Sequence, residues 1–202
     1  MKTRAAAFTL FLAMLAWFTS ASALDLDRPF LLVARPQLHG SLFGATVIVV
    51  MPTGGGHAGF IVNRPTQFNL VVAGPGTASS QEVAPLYLGG PVNAEQVFAL
   101  IRGASSPGGR SFEVLPGLYA AYEPAVLLQV AKTRSENARF LAGYVAWRPG
   151  ELQAEIHASA WYVLEPDAAL VMGAPDGLWE ELVRRADRAA NTVTASLPPN
   201  WN

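Results

Sequence analysis

The chain contains no cysteine, only three histidines, and a charged fraction of 14% over 202 residues. Without Cys there is no disulfide framework, thiolate metal site, Cys nucleophile or cysteine-linked lipid anchor. The histidines His39, His57 and His157 stand 18 and 100 residues apart. That is far from the three-to-five spacing of paired zinc ligands on one helix. Glu155 and His157 are two apart, so on a helix they point in different directions. No metal ligands and no cofactor are therefore expected. Lys and Arg number 14 against 15 Asp and Glu, a net charge of −1. That balance supplies no field for nucleic acid. Neither a G-x-x-x-x-G-K-[ST] phosphate loop nor a G-x-S-x-G nucleophile elbow occurs, so no catalytic residue is named.

What is plentiful is apolar surface, at 51% of residues. That is enough for a sizeable core, and it excludes a disordered chain. Part of it sits at the N-terminus. Lys2 and Arg4 precede an uncharged run from Ala5 to Phe18, and Ala21-Ser22-Ala23 follows with small residues. Residues 1–23 thus read as a secretory signal cleaved near Ala23. The alternative is a retained anchor, but fourteen helical residues reach only about 21 Å across a hydrocarbon core of about 30 Å. Loss of Lys2 and Arg4 would move the charge from −1 to −3. No later run approaches a membrane span, so a periplasmic or secreted protein is expected.

The rest alternates strand and helix signals. Phe30 to Ala34 and Ala45 to Met51 are β-branched runs bounded by Pro and Gly, the mark of buried strands. Phe60 to Val62 follows Gly54-Gly55-Gly56, suggesting a hairpin with a long, loose loop. Further strands are expected at Leu86 to Leu88, Val97 to Ile101, Gly117 to Tyr122, Phe140 to Trp147 and Trp161 to Leu164. Gly74 to Ser80 and Ser105 to Arg110 are loops by composition. Helices are expected over Pro124 to Thr133, from Pro149 with Leu152, Ile156 and Ser159 on one face, and over Leu178 to Ala190. In the last, Trp179, Leu182, Val183 and Ala186 point inward and Arg184, Arg185 and Arg188 outward. The division is a signal over 1–23, one α+β domain over 24–190 and a flexible tail over 191–202.

Three clusters stand out. Asn63-Arg64-Pro65 ends a strand, where the polar pair either caps the sheet edge or lines a pocket. Gly89-Gly90-Pro91 forms either a strand-ending turn or a close backbone approach to a ligand. Tyr144, Trp147 and Trp161 bracket Glu155. A buried indole N–H needs an acceptor, and Glu155 is one candidate. The same group would equally make the wall and anchor of a small-molecule site.

These clusters carry a resemblance to the AlgH/YqgE family. Its opening F-L-[IV]-A-x-P strand resembles Phe30 to Pro36. Its N-[RK]-P motif is matched at Gly59 to Pro65, its Y-x-G-G-P-V motif at Tyr87 to Val92, and its last motif at Gly143 to Glu155 with Trp161 beyond. The resemblance implies an α+β domain with a bent, barrel-like mixed β-sheet flanked by helices. It brings no established catalytic residues and a transcriptional-regulator label. An exported chain of charge −3 suits that label poorly.

The first expectation is thus a non-catalytic envelope protein that binds a small molecule or a protein partner. Its ligand-binding residues would be Asn63, Arg64, Gly89, Gly90, Tyr144, Trp147, Glu155 and Trp161. An enzyme acting through Glu155, Arg64 or His57, and a cytoplasmic regulator, are the alternatives.

Overall fold

The computed structural model describes residues 25–73, 81–133 and 135–195. The expected signal over 1–23, the expected loop from Gly74 to Ser80 and the end of the expected tail lie outside them. Ten strands run through the described residues: β1 (Phe30–Ala34), β2 (Val47–Thr53), β3 (Gly56–Ile61), β4 (Pro65–Ala73), β5 (Gln81–Leu88), β6 (Val92–Arg102), β7 (Ser111–Leu115), β8 (Leu118–Ala121), β9 (Ala138–Trp147) and β10 (Trp161–Leu164). The α-helices are α1 (Pro124–Thr133), α2 (Glu151–His157), α3 (Ala168–Met172) and α4 (Leu178–Ala195). This is an α+β fold whose sheet curls into a half-barrel flanked by helices.

The strand order is β10-β1-β2-β3-β9-β6-β8-β7, with β4 paired to β5 and β5 to β9. All pairs are antiparallel except β5–β9, so the sheet is mixed. The apolar runs of β1 and β2 are continuous because both of their faces are covered. Leu31, Val33, Val47 and Val49 join a core with Val171, Leu178 and Leu182 from α3 and α4. Their neighbours Leu32, Ile48 and Val50 pack with Leu152 of α2 and Trp161 on the other face. A third core lies under α1, where Val126, Leu127 and Val130 meet Ala99, Ile101 and Phe140.

Strand β9 organises the fold by changing partners along its length. Phe140 to Ala142 pair with Leu86 to Leu88 of β5, whereas Val145 to Trp147 pair with His57 to Gly59 of β3. The switch falls at three glycines. Gly89 N–H donates to Ala142 O at 2.8 Å while Gly89 O accepts from Ile61 N–H at 2.8 Å. A Cβ on Gly89 would lie 2.3 Å from Gly143 O, and one on Gly143 would lie 2.3 Å from Gly90 O. Gly143 also has φ +70°, a left-handed value that side chains resist. The Gly-Gly-Pro motif is thus the point where two backbones cross at contact distance.

Several boundaries differ from expectation. The β2–β3 loop is not long: Thr53 pairs with Gly56, leaving a two-residue turn of Gly54 and Gly55. Strand β2 starts at Val47, because Ala45 has φ +53° and Thr46 N–H turns back to Phe43 O. It then runs through Pro52, since β1 pairs only as far as Val50 and the missing N–H breaks no bond there. Helix α2 begins at Glu151, not Pro149, because Gly150 stands at φ 85°. Ser159, placed on that helix by periodicity, lies beyond it at φ 57°. Helix α4 continues past Ala190 to Ala195. Leu182 and Ala186 are buried and Trp179 and Val183 half-buried along its inner stripe, with Arg184, Arg185 and Arg188 exposed.

Candidate functional site

The expected site residues divide into separate constellations. Asn63 and Arg64 close the loop that leads into β2. Asn63 Nδ2 donates to Ala45 O at 3.0 Å, while its Oδ1 accepts from Val47 N–H at 2.8 Å. Arg64 donates from Nη2 to Gly44 O. Together they hold the left-handed Ala45 in place and cap the start of β2. Replacing Asn63 with Ala removes both bonds and is expected to cost about 2 kcal/mol. Chemical denaturation with an unchanged m-value would check this.

Trp147 and Trp161 share one acceptor. Trp147 Nε1 donates to Glu155 Oε2 at 3.0 Å and Trp161 Nε1 to the same oxygen at 2.7 Å. Both indoles are buried, and Leu152 beside them is sealed in the core under α2. One carboxylate oxygen therefore ties the end of β9 and the start of β10 to α2. Phe43 adds an edge-on ring contact to Trp161 at 5.9 Å.

His57 is buried as well. Its Nε2 lies 3.0 Å from Leu26 O, its ring meets Phe30 edge-on at 5.9 Å, and Nδ1 has no partner. Side chains alternate along a strand, so this imidazole lies on the opposite face of β3 from Ala58. Glu155, Arg64 and His57, the trio of the enzymatic reading, thus bond to different structural partners, and His57 Nδ1 alone is left buried without one.

A concavity does form nearby. An open groove of about 640 Å³ runs across β3 and β9, lined by Thr53, Gly55, His57, Ala58, Tyr144, Ala146, Trp147, Arg148 and Glu151. Ala58 pairs with Ala146, and these two small side chains leave the floor open. Tyr144 forms one wall, buttressed by Phe98 at a ring distance of 5.9 Å. At the rim the Arg148 and Glu151 side chains face each other at 4.0 Å, Arg148 being 89% exposed. Arg148 N–H also donates to Glu151 Oε2 at 2.7 Å. Of the expected residues, Tyr144 and Trp147 line this groove. Asn63, Arg64, Gly89, Gly90, Glu155 and Trp161 do not; they build the frame around it.

One charged residue of consequence went unread in the sequence. Arg139 is 7% exposed. It donates from Nη1 to Val62 O at 2.5 Å and Val171 O at 2.7 Å, and from Nη2 to Gly173 O at 2.6 Å. Its guanidinium also lies over the Tyr87 ring at 4.7 Å. Burial pulls its pKa below the ordinary arginine value, although arginine remains a cation at any physiological pH. The only sequence signal was a lone charge at the head of an apolar strand.

The fold defines the class: a small α+β domain whose curled, mixed sheet is flanked by helices. The chain belongs to the AlgH-like family, whose model matches residues 31–190. Among relatives, a UPF0301 protein of Chlorobium luteolum is 35% identical over 160 residues, spanning 76% of this chain and 82% of its own. Another from Methylococcus capsulatus is 35% identical over 167 residues, 77% of this chain and 88% of its own. In structure the chain is similar to the AlgH protein of Pseudomonas aeruginosa, with TM-score 0.65 and 24% identity over 89% of this chain and 98% of that one. A Corynebacterium diphtheriae protein gives TM-score 0.63 at 21% identity, over 80% and 87%. These likenesses to solved structures place the fold.

Proposed function

We propose that this protein is an exported, non-catalytic binding protein of the bacterial envelope, which seats a small ligand or a partner's side chains in the groove across β3 and β9. The observation that carries the reading is the composition of that groove. Its floor is small and apolar, Tyr144 forms an aromatic wall, and its rim holds one cation and one anion. A rigid concavity with a few polar groups at its edge is what recognition needs. The groove is preorganised, because Tyr144 is buttressed by Phe98 and the end of β9 beneath it is tied to α2 through Trp147 and Glu155. Preorganisation lowers the ordering cost of binding.

Export rests on the N-terminal pattern of Lys2, Arg4, the Ala5-to-Phe18 run and Ala21-Ser22-Ala23. The Leu26 carbonyl is held by His57, and Asp25 pairs with Arg28 at 2.7 Å. Cleavage after Ala23 leaves these anchoring contacts with the product.

Titrating the protein with a panel of envelope metabolites, while following tryptophan emission, tests the groove. A saturable change is expected, lost when Ala146→Arg fills the floor. A flat response across the panel removes the small-molecule form of the reading. Intact mass after cell fractionation tests the compartment. A periplasmic species beginning at Leu24 is expected, and a cytosolic one beginning at Met1 overturns export.

A further inference from the structure

Strands β5 and β9 run in parallel from the Leu86–Phe140 pair onward. Ahead of that pair they part. Pro85 has no N–H to contribute to pairing, and a cleft of about 380 Å³ opens between Ala84, Pro85 and Tyr87 on one side and Ala138, Arg139 and Phe140 on the other, with Met172 of α3 above. We propose that this cleft binds a small monocarboxylate carried on an apolar body, with Arg139 as the residue that receives the carboxylate.

The argument starts from charge. Three carbonyl oxygens satisfy donors of Arg139, but carbonyls are neutral dipoles and cannot cancel a buried unit charge. Arg28 and Arg148 stand beside carboxylates, whereas Arg139 forms no ion pair with a described residue. A cation taken out of water without a counter-charge is costly, and an anionic ligand would supply the missing charge. The carbonyl clamp explains why the guanidinium is held in place; it does not explain why this charge stands at the wall of a cleft.

Size and lining narrow the ligand. At about 30 Å³ per water molecule, the cleft holds roughly a dozen non-hydrogen atoms. Ala84, Pro85, Phe140 and Met172 provide apolar walls, and Tyr87 provides an aromatic one. Glu136 is exposed at the rim, and its carboxylate selects against ligands of higher negative charge. A single carboxylate on a compact apolar or aromatic frame fits all three features better than free phosphate. The site is separate from the groove across β3 and β9, and the two share no lining residue.

Benzoate, its neutral analogue benzyl alcohol and inorganic phosphate are suitable probes, titrated into isotope-labelled protein as cells process it. Amide resonances of Tyr87, Ala138 and Phe140 report on the cleft. Benzoate is expected to shift them saturably, with benzyl alcohol at least about tenfold weaker for want of the charge-assisted bond. Arg139→Gln would disturb α3, so the discriminating variant is Ala138→Phe, which fills the cleft while leaving every carbonyl bond of Arg139 in place. It is expected to weaken benzoate at least about tenfold at unchanged Tm. The proposal is overturned if benzoate and benzyl alcohol bind alike, if phosphate outcompetes benzoate, if Ala138→Phe binds as the wild type does, or if no shift appears by about 50 mM.

Discussion

Gly143→Ala is expected to leave little or no folded protein. Two costs combine at this position. A left-handed backbone costs a side-chain-bearing residue about 1–2 kcal/mol. The added Cβ would then lie 2.3 Å from Gly90 O and 2.8 Å from Val92 O, both backbone atoms. Neither can retreat cheaply. Gly90 N–H is bonded to Ala142 O, and Val92 is paired with Tyr144. Relief of the clash must pull β9 from β6, or from β5, and β9 is the strand on which both halves of the sheet converge. A loss above about 4 kcal/mol is in the range reached only by changes of this kind.

Two other glycines separate the contributions. Gly150 also has a left-handed φ, +85°, but a Cβ there meets nothing within 4 Å. Gly150→Ala should therefore show the conformational cost alone, about 1 kcal/mol. Gly55 has neither a positive φ nor a neighbour within 4 Å, and Gly55→Ala should be neutral. Thermal unfolding of the three variants tests the account. If Gly143→Ala melted within a few degrees of Gly150→Ala, the crossing would not be the constraint described.

That crossing also marks what the sequence could and could not disclose. A strand buried on both faces announces itself as an unbroken apolar run, so β1 is legible to the residue; β10, half-buried at the end of the strand order, is legible through its short apolar run, and α1 through its Val126, Leu127, Val130 stripe. Strand β4 is different: it mixes Thr66, Gln67 and Asn69 with apolar residues, and Phe68 is 64% exposed. Its structure comes from pairing with β5 rather than from any pattern of its own. Strand β7 is short and partly exposed for a similar reason. Helix α3 carried one readable sign, since Asp167 caps it by accepting from Ala169 N–H at 2.7 Å. Five residues give periodicity too little length to register.

The three clusters were legible as places but not as roles. Asn63 and Arg64 resolve to the capping alternative because their partners, Ala45, Val47 and Gly44, lie sixteen or more residues away in sequence. The groove was half-visible through Tyr144 and Trp147. Its floor was not, because Ala58 and Ala146 become neighbours only through the β3–β9 register. Arg139 was invisible for the same reason: its value lies in carbonyls from β3's exit and α3, more than thirty residues off in either direction.

Glu155→Ala should be the most damaging single change on the α2 face. The substitution removes the one oxygen that accepts from both Trp147 and Trp161. Two buried indole N–H groups would then lack a partner, each costing about 1–3 kcal/mol. A loss near 4 kcal/mol is expected, with tryptophan emission shifted to the red as water reaches the rings. Glu155→Gln keeps an acceptor oxygen but gives up its charge, and charge-assisted bonds are roughly twice as strong as neutral ones. It should therefore recover about half of the loss. The shared oxygen makes a sharper forecast through coupling. Trp161→Phe alone removes one donor and leaves Glu155 bound to Trp147. In the Glu155→Ala background the same substitution removes a donor that is already orphaned, and should cost much less. The two changes must then be non-additive by more than about 1 kcal/mol. Additivity in that cycle would mean that solvent, not the carboxylate, satisfies Trp161. The end of β9 beneath the groove would then be tied to α2 more loosely than its geometry indicates.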